Sequence, residues 1–223
     1  YIPLGADGKP DLECLESIDV PLFNDQLVEL LAGREVELPL YSFKTKRRLE
    51  QGVRLRVDGD QVLVVEGIHG LNSALSEEIP SELKYRVYVS ALTQLNLDGH
   101  NRIRTTDVRL LRRMVRDART RHTDVTATMA MWDSVRAGEE KYIFPYQEKA
   151  DVMFNSSLLY EIAVLKKYAY PMLKSIPQDS PYYTRSRRLV KFLNYFKNCG
   201  DESEIPPTSI LREFIGGCTF YDE

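Results

Sequence analysis

Residues 102–121 read RIRTTDVRLLRRMVRDARTR, a segment with eight arginines and no lysine. Four of the arginines follow the i, i+3, i+4, i+7 spacing of one helical face: Arg109, Arg112, Arg113 and Arg116. The opposite side carries apolar residues, namely Leu110, Leu111, Met114, Val115 and Ala118. The segment is therefore predicted to be a helix that packs by one side and displays guanidinium groups on the other. Because arginine binds phosphate and carboxylate through planar, paired contacts, this face indicates an anion-binding surface.

The bulk composition is that of a soluble globular protein, with 43% apolar and 28% charged residues. The net charge of the whole chain is −3, so the arginine-rich segment is a local feature and no nucleic-acid partner is expected. No apolar run approaches the ~18 residues of a membrane span, and no membrane partner is expected. The three cysteines are odd in number and lack C-x-x-C spacing, which favours a reduced, cytoplasmic setting.

The pattern on either side of the arginine-rich helix predicts an α/β fold. Residues 62–65 form a continuous apolar run, Val-Leu-Val-Val, typical of a strand buried on both faces of a parallel sheet. Residues 35–43 and 53–57 alternate at least in part, which is typical of strands at a sheet edge or in a hairpin. Further strands are predicted over 85–92 and 150–154. Helices are predicted as two pieces within 11–31 divided at Pro21, and over 72–83, 126–135, 160–168, 185–196 and 210–214. Strands that alternate with helices favour the α/β class.

Glu66 follows the apolar run and is followed by glycines at positions 67 and 70. Ligands gather at the carboxyl ends of parallel strands, where a carboxylate can hold the water shell of a magnesium ion. The alternative is that Glu66 caps the next helix, and spacing alone leaves both interpretations open. His69 and His100 have no partner at metal-ligand spacing and are interpreted as ordinary histidines.

Several motifs in order resemble the uridine kinase and phosphoribulokinase family. They are Leu38-Pro39-Leu40-Tyr41-Ser42-Phe43, Val65-Glu66-Gly67-Ile68, residues 106–117, Phe144-Pro145 and Ala150-Asp151. Stretches at 91–98, 138–140 and 209–217 are similar to a bacterial subgroup in which a longer chain carries other domains ahead of the kinase. The resemblance implies a P-loop kinase-type parallel sheet flanked by helices. Residues 1–155 would form the kinase-like core, and residues 156–223 a helical extension packed on the same domain.

The resemblance implies an ATP-dependent nucleoside kinase that transfers the γ-phosphate to the 5′-hydroxyl of a nucleoside, with Mg²⁺ as cofactor. Arg113, Arg116 and Arg121 match lid arginines that neutralise the transferring phosphoryl group, and Glu66 matches a glutamate that holds the metal through water. The residues implied on the substrate side are Glu13, Tyr41, Phe43, Lys46, Arg48 and Arg109. Lys46 stands where pyrimidine-specific members have a histidine, which leaves the base open. His122 and Thr123 replace a glycine and an arginine of the family.

The chain has no G-x-x-x-x-G-K-[ST] loop for the phosphates of ATP. The resemblance therefore implies that the first strand, this loop and the general-base aspartate lie ahead of Tyr1 in a longer protein, and that this fragment alone is inactive. The C-terminal helices are expected to pack on the core or on a second subunit, so a homo-oligomer stays an open alternative.

Two other functions remain open. Lys46, Arg47 and Arg48 beside Tyr41 suit a phosphorylated acceptor, as in a sugar-phosphate kinase of the phosphoribulokinase type. The missing loop and the mixture of tyrosine and arginine at residues 182–188 suit a non-catalytic nucleotide- or RNA-binding module.

Overall fold

The computed structural model describes residue 8, residue 11, residues 13–42 and residues 47–220. These residues fall into two compact units: Tyr1–Tyr88 with Ala137–Val152, and Val89–Arg136 with Met153–Glu223. The predicted boundary between residues 155 and 156 stays a prediction.

The first unit begins with a 3-10 turn at Leu15–Ser17, which is followed by α1 at Val20–Leu31. Asp19 caps α1 by accepting a hydrogen bond from the backbone N–H of Leu22, and Pro21 lies in the first turn, where its missing N–H costs nothing. Two helical pieces form as predicted, but the predicted division at Pro21 is wrong: the break lies at Ile18 and Asp19, and Pro21 belongs to α1.

Four short strands follow α1 as two antiparallel pairs. β1 (Val36–Leu38) pairs with β4 (Val53–Leu55), and β2 (Tyr41–Ser42) pairs with β3 (Arg47–Arg48). In the register of the inner pair, Tyr41 lies opposite Arg48. Of the two predicted alternatives, a sheet edge or a hairpin, the structure shows a hairpin of two antiparallel pairs, in which the stretch predicted as one strand over 35–43 is divided into β1 and β2.

The prediction of a buried strand over residues 61–65 is wrong. These residues form no strand, and Val62 and Val64 are 87% and 83% exposed. The physical reason is that a strand needs a neighbour for its backbone hydrogen bonds, and none of the described strands pairs with this segment. The helix predicted over 72–83 is also wrong, since Pro80 interrupts the segment and only 3-10 turns form at Ser73–Ser76 and Ser81–Leu83.

β5 (Val87–Ser90) and β6 (Val152–Asn155) form a parallel pair. The N–H of Asp151 donates to the carbonyl of Arg86 at 2.9 Å, and the N–H of Ser156 donates to the carbonyl of Ser90 at 2.8 Å. The bonded positions advance in the same direction along both strands, as a parallel ladder requires. Both predicted strands and the α/β class are confirmed.

The second unit is built on α2 (Thr105–Thr120), which packs against α4 (Glu161–Lys174) and α6 (Leu211–Ile215). α5 (Tyr183–Leu193) packs against α4, and α3 (Val125–Tyr142) follows α2 in the chain and ends before a 3-10 segment at Phe144–Lys149. The side of α2 predicted to be apolar forms the core of this unit, where Leu110, Leu111, Met114 and Val115 are at most 2% exposed. Each such side chain contributes about 1.5–3 kcal/mol by burial. Among the described residues, no helix is long and apolar enough to span a membrane.

Candidate active site

The end of α2 gathers three arginines around one buried carboxylate. The side chain of Asp117 is 0% exposed, and nitrogens of Arg113 and Arg121 each lie 3.2 Å from its oxygens. A nitrogen of Arg116 lies 3.9 Å from the same carboxylate. The side chains of Arg113, Arg116 and Arg121 are 20%, 30% and 55% exposed. We call these three residues the arginine cluster; their outer edges reach solvent, where an anion can meet them.

Helix α6 supplies a second acidic residue. Arg116 donates through Nη1 to Oε1 of Glu213 at 3.0 Å, and Arg119 donates through Nη2 to the backbone carbonyl of Glu213 at 2.8 Å. Since Asp117 and Glu213 offset two of the three charges of the arginine cluster, one positive charge remains. This excess favours binding of an additional anion at the partly exposed edge.

Arg112 does not join the exposed face. It is 7% exposed, and its Nε donates to Oε2 of Glu161 at 2.7 Å. Its Nη2 donates to the carbonyl of Ser156 at 2.7 Å, and its guanidinium lies 5.3 Å from the ring centre of Phe214. The prediction that all four arginines of the helical face are displayed is wrong for Arg112, because α4 covers this part of α2. Arg109, predicted to bind substrate, is half-buried on the same helix.

The chain leaves α2 through a left-handed residue. The N–H groups of Arg121 and Thr123 both donate to the carbonyl of Asp117 at 3.1 Å, and His122 between them has a φ of 50°. Glycine adopts this conformation most readily, which agrees with the expected family glycine at this position. The residue that anchors the arginine cluster therefore also closes the end of its helix.

On the acceptor side, the antiparallel register brings two predicted residues together. Tyr41 lies opposite Arg48 on adjacent strands and is 51% exposed. A guanidinium nitrogen of Arg48 lies 3.2 Å from the carboxylate of Asp19 at the start of α1. Phe43 and Lys46, also predicted to contact the substrate, lie outside the described residues.

Glu13 lies beside a group of polar side chains from the turn after the 61–66 segment and from the end of α3. His69 is 2% exposed, and its Nε2 lies 2.9 Å from the carbonyl of Glu13. The hydroxyl of Tyr142 donates to Asp11 at 3.1 Å, and its ring meets that of His69 edge-on at 5.2 Å. Burial raises the pKa of Tyr142. These contacts fix the backbone at Glu13, while the substrate-binding role of its side chain stays a prediction.

Glu66 is exposed and follows the segment without strand structure. No three His, Cys, Asp or Glu side chains of the described residues are grouped closely enough to hold a metal ion. A single exposed carboxylate nevertheless fits Mg²⁺, which keeps several waters and is bound through one or two carboxylates together with substrate phosphates. The helix-capping interpretation of Glu66 is not supported, since Asn72 caps the next turn by accepting from the N–H of Ala74 at 3.0 Å.

The model of the Phosphoribulokinase / Uridine kinase family matches residues 11–163, which include α1, the hairpin, Glu66, the strand pair and the arginine cluster. The chain belongs to this family. Its parallel strands and flanking helices agree with a P-loop kinase-type α/β fold.

The chain is similar to several uridine kinases. It is 27% identical over 138 residues to uridine kinase of Bacillus pumilus (61% of this chain, 57% of the relative) and 30% identical over 134 residues to that of Halobacterium salinarum (59% and 51%). It is 27% identical over 140 residues to uridine-cytidine kinase B of Dictyostelium discoideum (62% and 50%). The chain thus spans about half the length of the curated relatives it matches.

Sequence reasoning missed the two acidic residues that hold the arginine cluster. A signal for Asp117 exists, because it lies four residues from both Arg113 and Arg121 and such pairs meet on a helix. Glu213 is 97 residues from Arg116, and no local pattern links them.

Proposed function

We propose that this chain is part of an ATP-dependent nucleoside kinase that transfers the γ-phosphate to the 5′-hydroxyl of a nucleoside. The observation that carries the proposal is the arginine cluster, whose three guanidinium groups share one buried carboxylate at the end of α2 and keep a positive excess. Arginines held in this way neutralise charge that develops on a phosphoryl group in transfer, an effect worth roughly 10³–10⁵ in kcat for one well-placed arginine.

In this proposal Glu66 holds Mg²⁺ through water. The ion, when bound, neutralises phosphate charge and orients the phosphates. The arginine cluster binds phosphoryl oxygens, and partial burial holds the guanidinium groups in place before the nucleotide arrives.

The hairpin supports a nucleoside over a phosphorylated sugar as acceptor. Arg48 lies opposite Tyr41, which would suit a phosphate on the acceptor, but Asp19 offsets the charge of Arg48 at 3.2 Å. An uncharged acceptor that stacks on the exposed ring of Tyr41 fits this pair better. A thermal-shift comparison of uridine with ribulose 5-phosphate separates the two, since the bound acceptor raises Tm.

The RNA-binding alternative is weakened by the pairing of the arginines that suggested it. Arg185 lies 2.9 Å from Asp133, and Arg188 makes two hydrogen bonds to Asp107 at 2.6 and 2.7 Å. The bonds to Asp107 raise the pKa of Arg188. Because these arginines are paired with carboxylates, they stabilise the helices. Few unpaired positive charges remain to bind the phosphates of a nucleic acid and release its counterions.

We further propose that the complete kinase is longer than this chain and acts in the cytoplasm. Both β5 and β6 expose apolar residues, with Val89 at 58% and Phe154 at 57%. Parallel sheets are normally covered on both faces, so further polypeptide with the phosphate-binding loop would complete this one. The three cysteines are free thiols, as a reducing compartment allows.

The test is an assay of the natural full-length protein with ATP, Mg²⁺ and a panel of nucleosides. Arg121→Ala is the most informative variant, because this side chain is 55% exposed and contributes little to folding. We expect kcat to fall by about 10³. Arg121→Lys keeps the positive charge but lacks the planar guanidinium group, so its kcat should lie between those of the unaltered protein and Arg121→Ala.

The matched control is Arg187→Ala, which removes an exposed arginine that contacts only the ring of Tyr183 on its own helix, as far as the described residues show. Its kcat should equal that of the unaltered protein. The proposal is wrong if no nucleoside yields a monophosphate, or if Arg121→Ala and Arg187→Ala have the same activity.

A further inference from the structure

Helix α6 lies outside the region that the family model matches, yet it contacts the arginine cluster. The match ends at residue 163, and α6 begins at Leu211. Glu213 on this helix binds Arg116 through its carboxylate and Arg119 through its backbone carbonyl. A part of the chain beyond the family match therefore determines where a proposed catalytic arginine lies.

The geometry of this contact suits positioning of Arg116. Glu213 accepts a hydrogen bond from Nη1 of Arg116 at 3.0 Å, while the carboxylate of Asp117 lies 3.9 Å from Nε. The side chain of Arg116 is 30% exposed, so part of it remains accessible to an anion. A long, mobile side chain held in advance loses less conformational entropy when the phosphate binds.

The packing of α6 makes Glu213 a fixed point. On either side of it in α6, Leu211 is 0% and Phe214 is 5% exposed in the core of the second unit. Glu213 itself is 41% exposed, so its side chain contributes little to this packing. The apolar residues anchor the helix, and the carboxylate between them is directed at α2.

We propose that Glu213 is a positioning residue of the kinase, which holds the guanidinium of Arg116 in the orientation that meets the phosphoryl group. This inference rests on the proposed function. Glu213 does not touch the substrate; it acts through Arg116. The C-terminal helices thereby contribute to phosphoryl transfer as well as to stability.

The experiment is a double-mutant cycle on the natural full-length protein. Glu213→Ala should lower kcat about tenfold, because small misplacements of a catalytic group carry costs of this order, and should leave the KM for the nucleoside within about twofold. Glu213→Gln keeps the shape and an acceptor oxygen without the charge, so a smaller decrease is expected. In a protein that already carries Arg116→Ala, Glu213→Ala should have no further effect on kcat.

Glu204→Gln is the matched control, since Glu204 is an exposed residue of the same C-terminal region. The kcat of this variant should equal that of the unaltered protein.

A purely structural role of Glu213 predicts that Glu213→Ala lowers kcat equally with and without Arg116, and that result would overturn the inference. It is also overturned if Arg116→Ala lowers kcat while Glu213→Ala and Glu213→Gln do not, an outcome that leaves the proposed function standing. If the unaltered protein phosphorylates no nucleoside, the proposed function fails and the inference fails with it. Should Glu213→Ala not fold, the isosteric Glu213→Gln decides.

Discussion

His122 combines a side chain with a backbone conformation that favours glycine. It has a φ of 50°, the one positive value among the described residues other than glycine. For a residue with a Cβ, the left-handed region costs roughly 1–2 kcal/mol. The sequence resemblance expects glycine at this position, so the exit from α2 carries strain that the family pattern would not have. This strain belongs to the turn that holds the arginine cluster in place.

We expect His122→Gly to stabilise the protein by about 0.5–1 kcal/mol. The free energy gained by relief of the left-handed strain is larger than the free energy lost because glycine raises the conformational entropy of the unfolded chain. The measurement is the unfolding free energy from urea titration. His122→Ala is the control, because alanine keeps the Cβ and should gain nothing. Equal gains from glycine and alanine would show that backbone conformation is not the cause.

Helices α2 and α4 are joined by an ion pair within the core of the second unit. Arg112 is 7% exposed and Glu161 is 1% exposed, and the second carboxylate oxygen of Glu161 accepts from the hydroxyl of Ser157 at 3.1 Å. Taking both charges out of water is costly, so the pair holds only because each charge has several partners. Loss of one partner leaves a buried charge without compensation.

The removal of one partner is therefore expected to cost more than the removal of both. Arg112→Met or Glu161→Leu alone should lower the unfolding free energy by about 3–5 kcal/mol, while the double variant should lose clearly less than the sum. Denaturant titration of the four proteins gives the coupling energy. Additive losses would contradict a direct pairing between α2 and α4.

Helix α4 is also tied to the segment that precedes α6. The hydroxyl of Tyr168 donates to Glu202 at 2.6 Å, and Lys167 lies 2.8 Å from the other oxygen of this carboxylate. Burial and the bond to Glu202 raise the pKa of Tyr168 to about 12. The interaction with Lys167 and the bond from Tyr168 lower the pKa of Glu202 in spite of its burial.

The raised pKa of Tyr168 predicts a loss of stability at high pH. An unfolded tyrosine releases its proton near pH ~10, whereas the folded residue keeps it until pH ~12, so folding becomes less favourable across this window. The unfolding free energy of the natural protein relative to Tyr168→Phe should be larger at roughly pH 9 than at roughly pH 11. A difference that does not change with pH would contradict the contribution of this hydroxyl.

Across the whole molecule, local periodicity predicted the elements that depend on their own residues. Helix α2 has a continuous apolar stripe from Leu110 to Val115, and it forms as predicted. The hairpin follows from alternation, and its register then places Tyr41 opposite Arg48. The strand predicted over 61–65 does not form, because an apolar run becomes a strand only when a neighbouring strand pairs with its backbone. The residues of the segment itself do not specify such a neighbour.

The same distinction applies to the candidate site. The spacing of the arginines placed Arg113 and Arg116 on one face of α2, and the family resemblance added Arg121. The structure brings these three side chains together around Asp117. Spacing did not reveal that Glu161 buries Arg112 or that Glu213 holds Arg116. Both contacts join residues 49 and 97 positions apart, so they follow from packing alone.

The exposed apolar segment gives a prediction for the complete protein. Val64 is 83% exposed, so Val64→Ser should change the unfolding free energy of the 223-residue chain by less than about 0.5 kcal/mol. If further polypeptide covers this segment in the complete protein, the same substitution should destabilise the natural full-length protein by about 1–2 kcal/mol, because a buried valine loses its transfer free energy. Urea titration of both proteins, each with and without Val64→Ser, makes the comparison. Equal effects in the two proteins would mean that residues 61–65 stay in water in the complete protein as well.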